Sequence, residues 1–116
     1  MNIKLIESPK GTIAVISSDT PILVDEQSVL DCLVNAGAYL IVVNKEALTE
    51  DFFNLSTGIA GLLVQKFVNY GYRLAIYGDF SNYTSKSLHD YIYECNNGTH
   101  LNFANSEQTA IEKLGG

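Results

Sequence analysis

Two short segments carry the residue types from which a functional site could be built. The first is GDFSNYTSK, residues 78–86, which is rich in hydrogen-bond donors and acceptors and leads into a predicted helix. Free N–H groups at the start of a helix can bind an anion. An anion pocket here would use these residues: Asp79, Ser81, Tyr83, Ser85 and Lys86. The same side chains suit turns and helix caps, so capping without a ligand is the alternative interpretation.

The second segment is FNLSTGIAG, residues 53–61, which opens another predicted helix after a central strand and a loop. Gly58 and Gly61 each lower helix stability by about 1 kcal/mol relative to Ala. Such a cost predicts either tight packing of the helix on the sheet or the approach of a partner. The candidate partner-binding or regulatory residues are Ser56, Thr57, Gly58 and Gly61.

The residue patterns of well-specified catalytic sites are missing from the sequence. It contains no HExxH, CxxC, GxSxG or Walker motif, which removes the common metal, hydrolase and P-loop interpretations. The two histidines, His89 and His100, are not spaced as a helical pair, and His89 is expected to be a solvated helix position. We therefore predict no catalytic residue, no metal and no cofactor.

Composition narrows the class of partner and the compartment. Of the 116 residues, 47% are hydrophobic and 17% are charged, which predicts one globular domain over residues 1–116. A net charge of -6 leaves no basic face for nucleic acid. No apolar run is long enough to cross a membrane, and residues 1–11 lack the apolar region of a secretory signal. We expect a cytoplasmic protein in which Cys32 and Cys95 are free, small hydrophobic residues of two helices.

The hydrophobic pattern predicts the element order β-β-α-β-α-β-α-β-α. Strands are expected at residues 2–8, 12–17, 39–43, 72–77 and 100–103. Helices are expected after Asp25, near Ser56 or Thr57, after residues 81–85, and after Asn105; Gly37, Gly71 and Asn97-Gly98 are the predicted stops. The second helix should bury Ile59, Leu62, Leu63, Phe67 and Tyr70.

Strands that alternate with helices imply parallel pairing through right-handed crossovers, and the opening hairpin adds an antiparallel pair. The fold class is therefore α/β, with a single mixed, mostly parallel sheet of about five strands. The predicted core contains Leu33, Ile41, Leu63, Ile76 and Ile92. Sites in such folds favour the carboxyl ends of the parallel strands, which here lead into Asn44, Lys45 and residues 78–86.

The predicted element order and the segment from Phe53 to Ala60 resemble the STAS domain, the fold of bacterial anti-sigma-factor antagonists. That family carries a Phe-x-Asp-Ser-Ser-Gly-x-Gly type segment at the same place, and this chain reads Phe-Asn-Leu-Ser-Thr-Gly-Ile-Ala. The resemblance implies that Thr57 occupies the regulatory phosphorylation position. Leu55 replaces the family Asp, and Ala60 replaces the second family Gly.

A second resemblance covers most of the chain, best over Asp51 to Asn97, and is to a bacterial domain family of unknown function. It implies no activity. It does imply a recurrent pattern that contains Thr57, Gly58, Gln65, Lys66, Asn69, Asp79, Ser81, Thr84, Ser85 and Lys86.

Three functional hypotheses follow. The first is a non-catalytic, cytoplasmic protein-interaction or regulatory module that resembles STAS domains and binds a protein partner through the start of the second helix. The second is a small anionic-ligand-binding protein, or a minor enzyme, that uses residues 78–86. The third is a homodimer, because the free strand edges of a mixed sheet favour pairing. A closed polar pocket near residues 79–86 would favour the second hypothesis, and a shallow exposed surface near residues 56–61 the first.

Overall fold

The computed structural model describes residues 1–116 and contains five strands and four α-helices. The strands are β1 (Asn2–Ser8), β2 (Gly11–Ser17), β3 (Leu40–Asn44), β4 (Arg73–Tyr77) and β5 (Leu101–Ala104). The helices are α1 (Glu26–Ala36), α2 (Ile59–Asn69), α3 (Lys86–Asn96) and α4 (Glu107–Gly115), and three 3-10 turns lie at Lys45–Ala47, Glu50–Phe53 and Leu55–Thr57. This order confirms the predicted α/β layout.

The five strands form one mixed sheet in the order β1-β2-β3-β4-β5. β1 and β2 pair antiparallel, and the other three pairs are parallel. β3 is central, and its residues Leu40 to Val43 are all buried, as the unbroken apolar run of this segment predicts. Helices cover the sheet on both sides. Because β2 to β5 run parallel, their carboxyl ends and the loops that follow lie at the same end of the sheet.

The core has two parts, one on each face of the sheet. The larger part packs α1, α2 and α3 against Ile41 and Val43 of β3. The smaller part packs α4 against Leu40 and Val42 of the same strand. Alternate residues of one strand thus serve the two layers, which is why β3 tolerates no polar residue before Asn44.

The predicted core is mostly confirmed, with two corrections in the helices. Leu33, Ile41, Leu63 and Ile76 are buried, but Ile92 is only half-buried. In α2 the buried residues are Ala60, Leu63 and Phe67, whereas Ile59 is half-buried and Leu62 and Tyr70 are exposed. Leu62 lies about 100° around the helix from Leu63, and the small side chain of Ala60 faces the sheet instead.

Helix α2 begins at Ile59 and not at Ser56 or Thr57. Residues Leu55–Thr57 form a 3-10 turn, and Gly58 follows with a φ of 77°, a left-handed conformation that favours glycine. The chain therefore changes direction before the α-helix starts.

Two other helix ends differ in detail from the sequence prediction. α3 ends at Asn96, which confirms the predicted stop at Asn97-Gly98, but Asn97 has a φ of -88° and Gly98 is not left-handed, so the expected left-handed conformation is absent. The N-cap of α4 is Ser106 and not Asn105, since the Ser106 side chain accepts a hydrogen bond from the Thr109 N–H.

Both cysteines are free and lie in helices, as predicted. Cys32 of α1 is buried, and this burial raises the pKa of its thiol to about 11. Cys95 of α3 is half-buried. None of the four helices has the length and apolar character that crossing a membrane requires.

Candidate functional site

Asn44 and Gly78 determine how the strands and loops pack at the end of the sheet where the parallel strands terminate. The Asn44 side chain accepts a hydrogen bond from the Ser18 N–H at 3.0 Å and donates one to the Ser18 carbonyl at 2.8 Å, which ties the ends of β2 and β3 together. Gly78 follows β4, and a Cβ atom there would lie 2.7 Å from the Cβ of Lys45. The loop after β4 therefore lies directly against the end of β3.

In residues 78–86, the β4–α3 loop, most polar side chains are bonded within the loop or to neighbouring elements. The Asp79 carboxylate accepts hydrogen bonds from the Ser81 N–H at 2.9 Å and the Ser81 hydroxyl at 2.6 Å. These two bonds, helped by the charge of Lys45, hold the pKa of Asp79 below its usual value. Ser85 caps α3 by accepting from the Leu88 N–H at 3.2 Å.

The candidate anion-binding residues do not converge on one point. Lys86 is strongly exposed and pairs with Asp90, one turn further along α3, at 2.7 Å. A shallow depression of about 300 Å³ lies beside Tyr83, and its lining residues are Glu50, Phe53, Asn54, Asn82, Tyr83, Thr84 and Ser85. The lining contains a carboxylate and no cationic side chain, so its charge opposes an anion.

Tyr83 joins this loop to the turn Glu50–Phe53. Its hydroxyl donates a hydrogen bond to the Glu50 carboxylate at 2.7 Å, and its ring stacks on Phe53 with the centroids 5.4 Å apart. The Lys45 ammonium lies 4.9 Å from the centroid of the same ring. Burial and the neighbouring Glu50 carboxylate raise the pKa of Tyr83. Both the ring and the hydroxyl of Tyr83 are therefore engaged within the protein.

Sequence reasoning missed the role of Glu50 and Phe53 in this arrangement. Phe53 contacts both Tyr83 and Phe80, whose ring centroid is 5.9 Å away. The only sequence signal was the presence of aromatic residues in both segments. No local spacing indicates a contact between residues that lie about thirty positions apart.

His89, on the first turn of α3, is exposed, as predicted, yet it also contacts the loop. Its Nε2 atom lies 2.6 Å from the Tyr83 carbonyl oxygen, and because a carbonyl only accepts, Nε2 carries the proton. His100 is exposed at the start of β5. No group of three or more His, Cys, Asp and Glu side chains is placed to hold a metal ion.

In the other candidate segment, residues 53–61, the polar residues and both glycines are exposed, whereas Phe53 and Ala60 are buried. Asn54 accepts hydrogen bonds from the Ser56 N–H at 3.3 Å and the Ser56 hydroxyl at 2.7 Å. The Thr57 hydroxyl lies 2.8 Å from the Asp51 carbonyl, to which it can donate, and accepts from the Ile59 N–H at 3.2 Å. Thr57 is thus a capping residue for α2 that solvent still reaches.

Gly58 and Gly61 are not needed for tight packing, so that alternative is wrong for both. A Cβ atom at either position would have no neighbour within 4 Å. Gly58 has a separate reason to be glycine, its φ of 77°. Gly61 has none within the chain, because it lies inside α2 and its φ is not positive.

The structure brings Ser56, Thr57, Gly58 and Gly61 together on one exposed surface, next to Leu62, whose residue surface is 43% exposed. We name the exposed residues Ser56, Thr57, Gly58, Gly61 and Leu62 the α2 entry surface. One turn further along, the Gln65 amide donates to Asn69 at 2.7 Å, and Lys66 forms a salt bridge with Glu26 of α1 at 3.1 Å. Gln65 and Asn69 therefore form a hydrogen bond along α2, and Lys66 links α2 to α1.

The five-stranded mixed sheet, its helices on both faces and the loops at the ends of the parallel strands define an α/β domain with an exposed polar edge. The chain belongs to the family described as Domain of unknown function (DUF4180), whose model matches residues 9–114. No curated protein and no solved structure matches the chain.

Proposed function

We propose that this chain is a non-catalytic, cytoplasmic protein-interaction or regulatory module with a STAS-like layout. It presents the α2 entry surface to a protein partner. The observation that carries the proposal is Gly61, an exposed glycine inside a helix that neither backbone conformation nor packing requires.

Gly61 has a cost and no compensating gain within the chain. A glycine in a helix interior lowers stability by about 1 kcal/mol relative to Ala, which is an upper bound for Gly61 in the first turn of α2. The space around Gly61 would accept the extra methyl group. A partner whose backbone approaches α2 closely would bind better without a methyl group at position 61. Gly61 is thus explained by an interaction that the isolated chain does not contain.

The side chain of Leu62 is a second reason to propose the α2 entry surface as an interface. It follows Gly61 directly and exposes 43% of its surface, although the next residue, Leu63, is buried in the core. An exposed apolar side chain beside a glycine provides what the centre of a protein interface commonly has, a contact that excludes water and a place for close approach.

The β4–α3 loop supports an interaction role over a ligand pocket. Its carboxylate and hydroxyl groups serve its own turn and the cap of α3, and Tyr83 fixes it to the turn Glu50–Phe53. This arrangement gives the α2 entry surface a rigid neighbour. A partner would then meet a preformed surface and lose little conformational freedom within this chain.

The proposal is tested by placing a photo-crosslinking phenylalanine analogue at position 62 in cells that produce the protein. We expect one discrete protein adduct after irradiation. The matched control carries the same analogue at Gln108, which is exposed on α4 on the opposite face of the sheet and should give no such adduct.

A second change sharpens this experiment. The substitution Thr57→Asp keeps a capping acceptor for the Ile59 N–H but adds a charge to the α2 entry surface. The adduct from position 62 should then disappear while the protein stays folded. Equal adducts from positions 62 and 108, or none from position 62, would reject the interaction role of this surface.

A further inference from the structure

The two edge strands of the sheet differ in how they are protected. β5 is short, all four of its residues are buried, and the Asn96 side chain of α3 accepts a hydrogen bond from the Phe103 N–H at 2.7 Å. β1 is seven residues long, and only Ile6 and Ser8 are even half-buried. An unprotected strand edge is a template for pairing with another strand.

The backbone of β1 offers hydrogen bonds to such a strand. Ser8 and Gly11 flank a two-residue turn and pair with each other. Because bonded and non-bonded pairs alternate along an antiparallel ladder, Ile3, Leu5 and Glu7 direct their N–H and C=O groups away from β2. No side chain of the protein bonds to these groups, in contrast to the Phe103 N–H of β5.

The side chains on one face of β1 are Ile3, Leu5 and Glu7, of which the first two are apolar. Lys4 lies on the α4 side, where it pairs with Glu107 at 3.3 Å. Ile3 and Leu5 lie on the other side, opposite Ile16 and Ala14 of β2, and expose 38% and 56% of their surfaces. Burying them against an apolar strand would be favourable.

We propose that β1 pairs antiparallel with β1 of a second copy of this chain, so that two five-stranded sheets become one. This inference does not depend on the interaction role of the α2 entry surface. The register that overlaps both strands completely places Leu5 opposite Leu5 on the two-fold axis. The other opposed pairs are Ile3 with Glu7, Lys4 with Ile6, and Asn2 with Ser8.

The side-chain pattern of β1 suits a second copy of the chain as the occupant of this edge. Two molecules of net charge -6 repel each other, but the single Lys and single Glu within Asn2–Ser8 cancel. In the register above, no pair sets like charges opposite each other. Such a pair would destabilise an antiparallel ladder. The two apolar stripes also meet on the same face of the joined sheet.

The test is sedimentation velocity over a concentration series up to about 1 mM, where even a weak complex forms. We expect wild-type protein to sediment as a dimer at the upper concentrations. Leu5→Lys should weaken the dimer at least tenfold, because it sets two like charges face to face on the axis. Tyr93→Lys changes an exposed apolar residue on α3, far along the sheet, and should leave the dimer unchanged.

A mixing experiment identifies both the occupant and the register. Leu5→Lys and Leu5→Glu should each be monomeric, and an equimolar mixture should form a heterodimer because opposite charges then meet across the axis. Amide exchange of Leu5 in the wild-type protein should slow on dimerisation. A wild-type chain that stays monomeric throughout, a dimer that survives Leu5→Lys, or a mixture that stays monomeric would overturn the proposal.

Discussion

The α2 entry surface and the β4–α3 loop follow neighbouring parallel strands, yet they differ in their apolar residues, since Leu62 is exposed whereas Phe80 and Tyr83 of the loop are half-buried. In the loop, Asp79, Ser81 and Ser85 bond within the loop or to the start of α3. In the α2 entry surface, Gly61 and Leu62 face solvent with no neighbour that explains them. Contacts within the chain thus account for Asp79, Ser81 and Ser85 of the loop but not for Gly61 and Leu62.

This difference shows which sequence features indicate binding in this protein. The polar loop is the richer in donors and acceptors, but turns and caps use these groups. Gly61 has no chemistry of its own, and its significance lies in the cost that it imposes on a helix. A residue that its own structure does not need is here the stronger indication of a partner.

The largest expected effect is a difference in the free energy of unfolding between variants of two adjacent leucines of α2. Leu63→Ala should lower the free energy of unfolding by roughly 2–5 kcal/mol, because it opens a cavity in the core where Leu63 is 1% exposed. Leu62→Ala should lower it by less than about 0.5 kcal/mol, as surface substitutions usually do. Urea denaturation of both variants measures the difference, and equal losses would show that the α2 entry surface is not separate from the core.

The attachment of the loop depends on Tyr83. Tyr83→Phe keeps the ring stacked on Phe53 but removes the 2.7 Å hydrogen bond to the exposed Glu50 carboxylate. We expect a loss of about 1 kcal/mol in chemical denaturation, at the modest end for a bond to a charged group because solvent screens it. Glu50→Ala is the matched variant, because it removes the acceptor of the same hydrogen bond, and a loss that differs greatly between the two would contradict a shared bond.

The substitution Gly61→Ala has an expected effect of the opposite sign. It should stabilise the protein by about 0.5–1 kcal/mol, because Ala favours the helix and its methyl group meets no atom within 4 Å. Thermal denaturation should show a higher midpoint. A destabilised variant would mean that Gly61 has a structural role after all, and the main support for the proposed function would be lost.

The smallest expected effect concerns Lys86. Because its ammonium pairs with Asp90 on the surface, Lys86→Ala should leave the thermal midpoint unchanged. Inorganic phosphate and nucleotides should not stabilise either the wild-type protein or this variant. A ligand at 100 times its Kd would stabilise the folded state by ~2.7 kcal/mol, so binding at the loop would be easy to detect and would contradict the comparison.

The fold was largely predictable because its signals are local. The apolar run that became β3, the cap at Asp25 and the stop at Gly37 all rest on neighbouring residues. The phase of α2 was not predictable, since Ile59 to Leu63 is apolar or small all around the helix. Only the packing of Ala60 against the core separates Leu62 from Leu63.

The candidate site was predictable in its residues but not in its connections. Both segments were found from their composition and from the rule that sites lie at the ends of parallel strands. The bond between Tyr83 and Glu50 joins segments that are distant along the chain, and it depends on the completed fold. The same holds for the open space around Gly61, which no property of the sequence reveals.

The most direct test of the interaction role is isothermal titration calorimetry with the partner that is crosslinked through position 62. Thr57→Asp adds a charge at the start of α2, where it should favour the folded helix by ~0.3–1 kcal/mol while opposing a partner that packs on Gly58 and Gly61. We expect its affinity to fall at least tenfold, about 1.4 kcal/mol, while Gln108→Asp on α4 binds like the wild type. Wild-type affinity in Thr57→Asp would contradict the interaction role of the α2 entry surface.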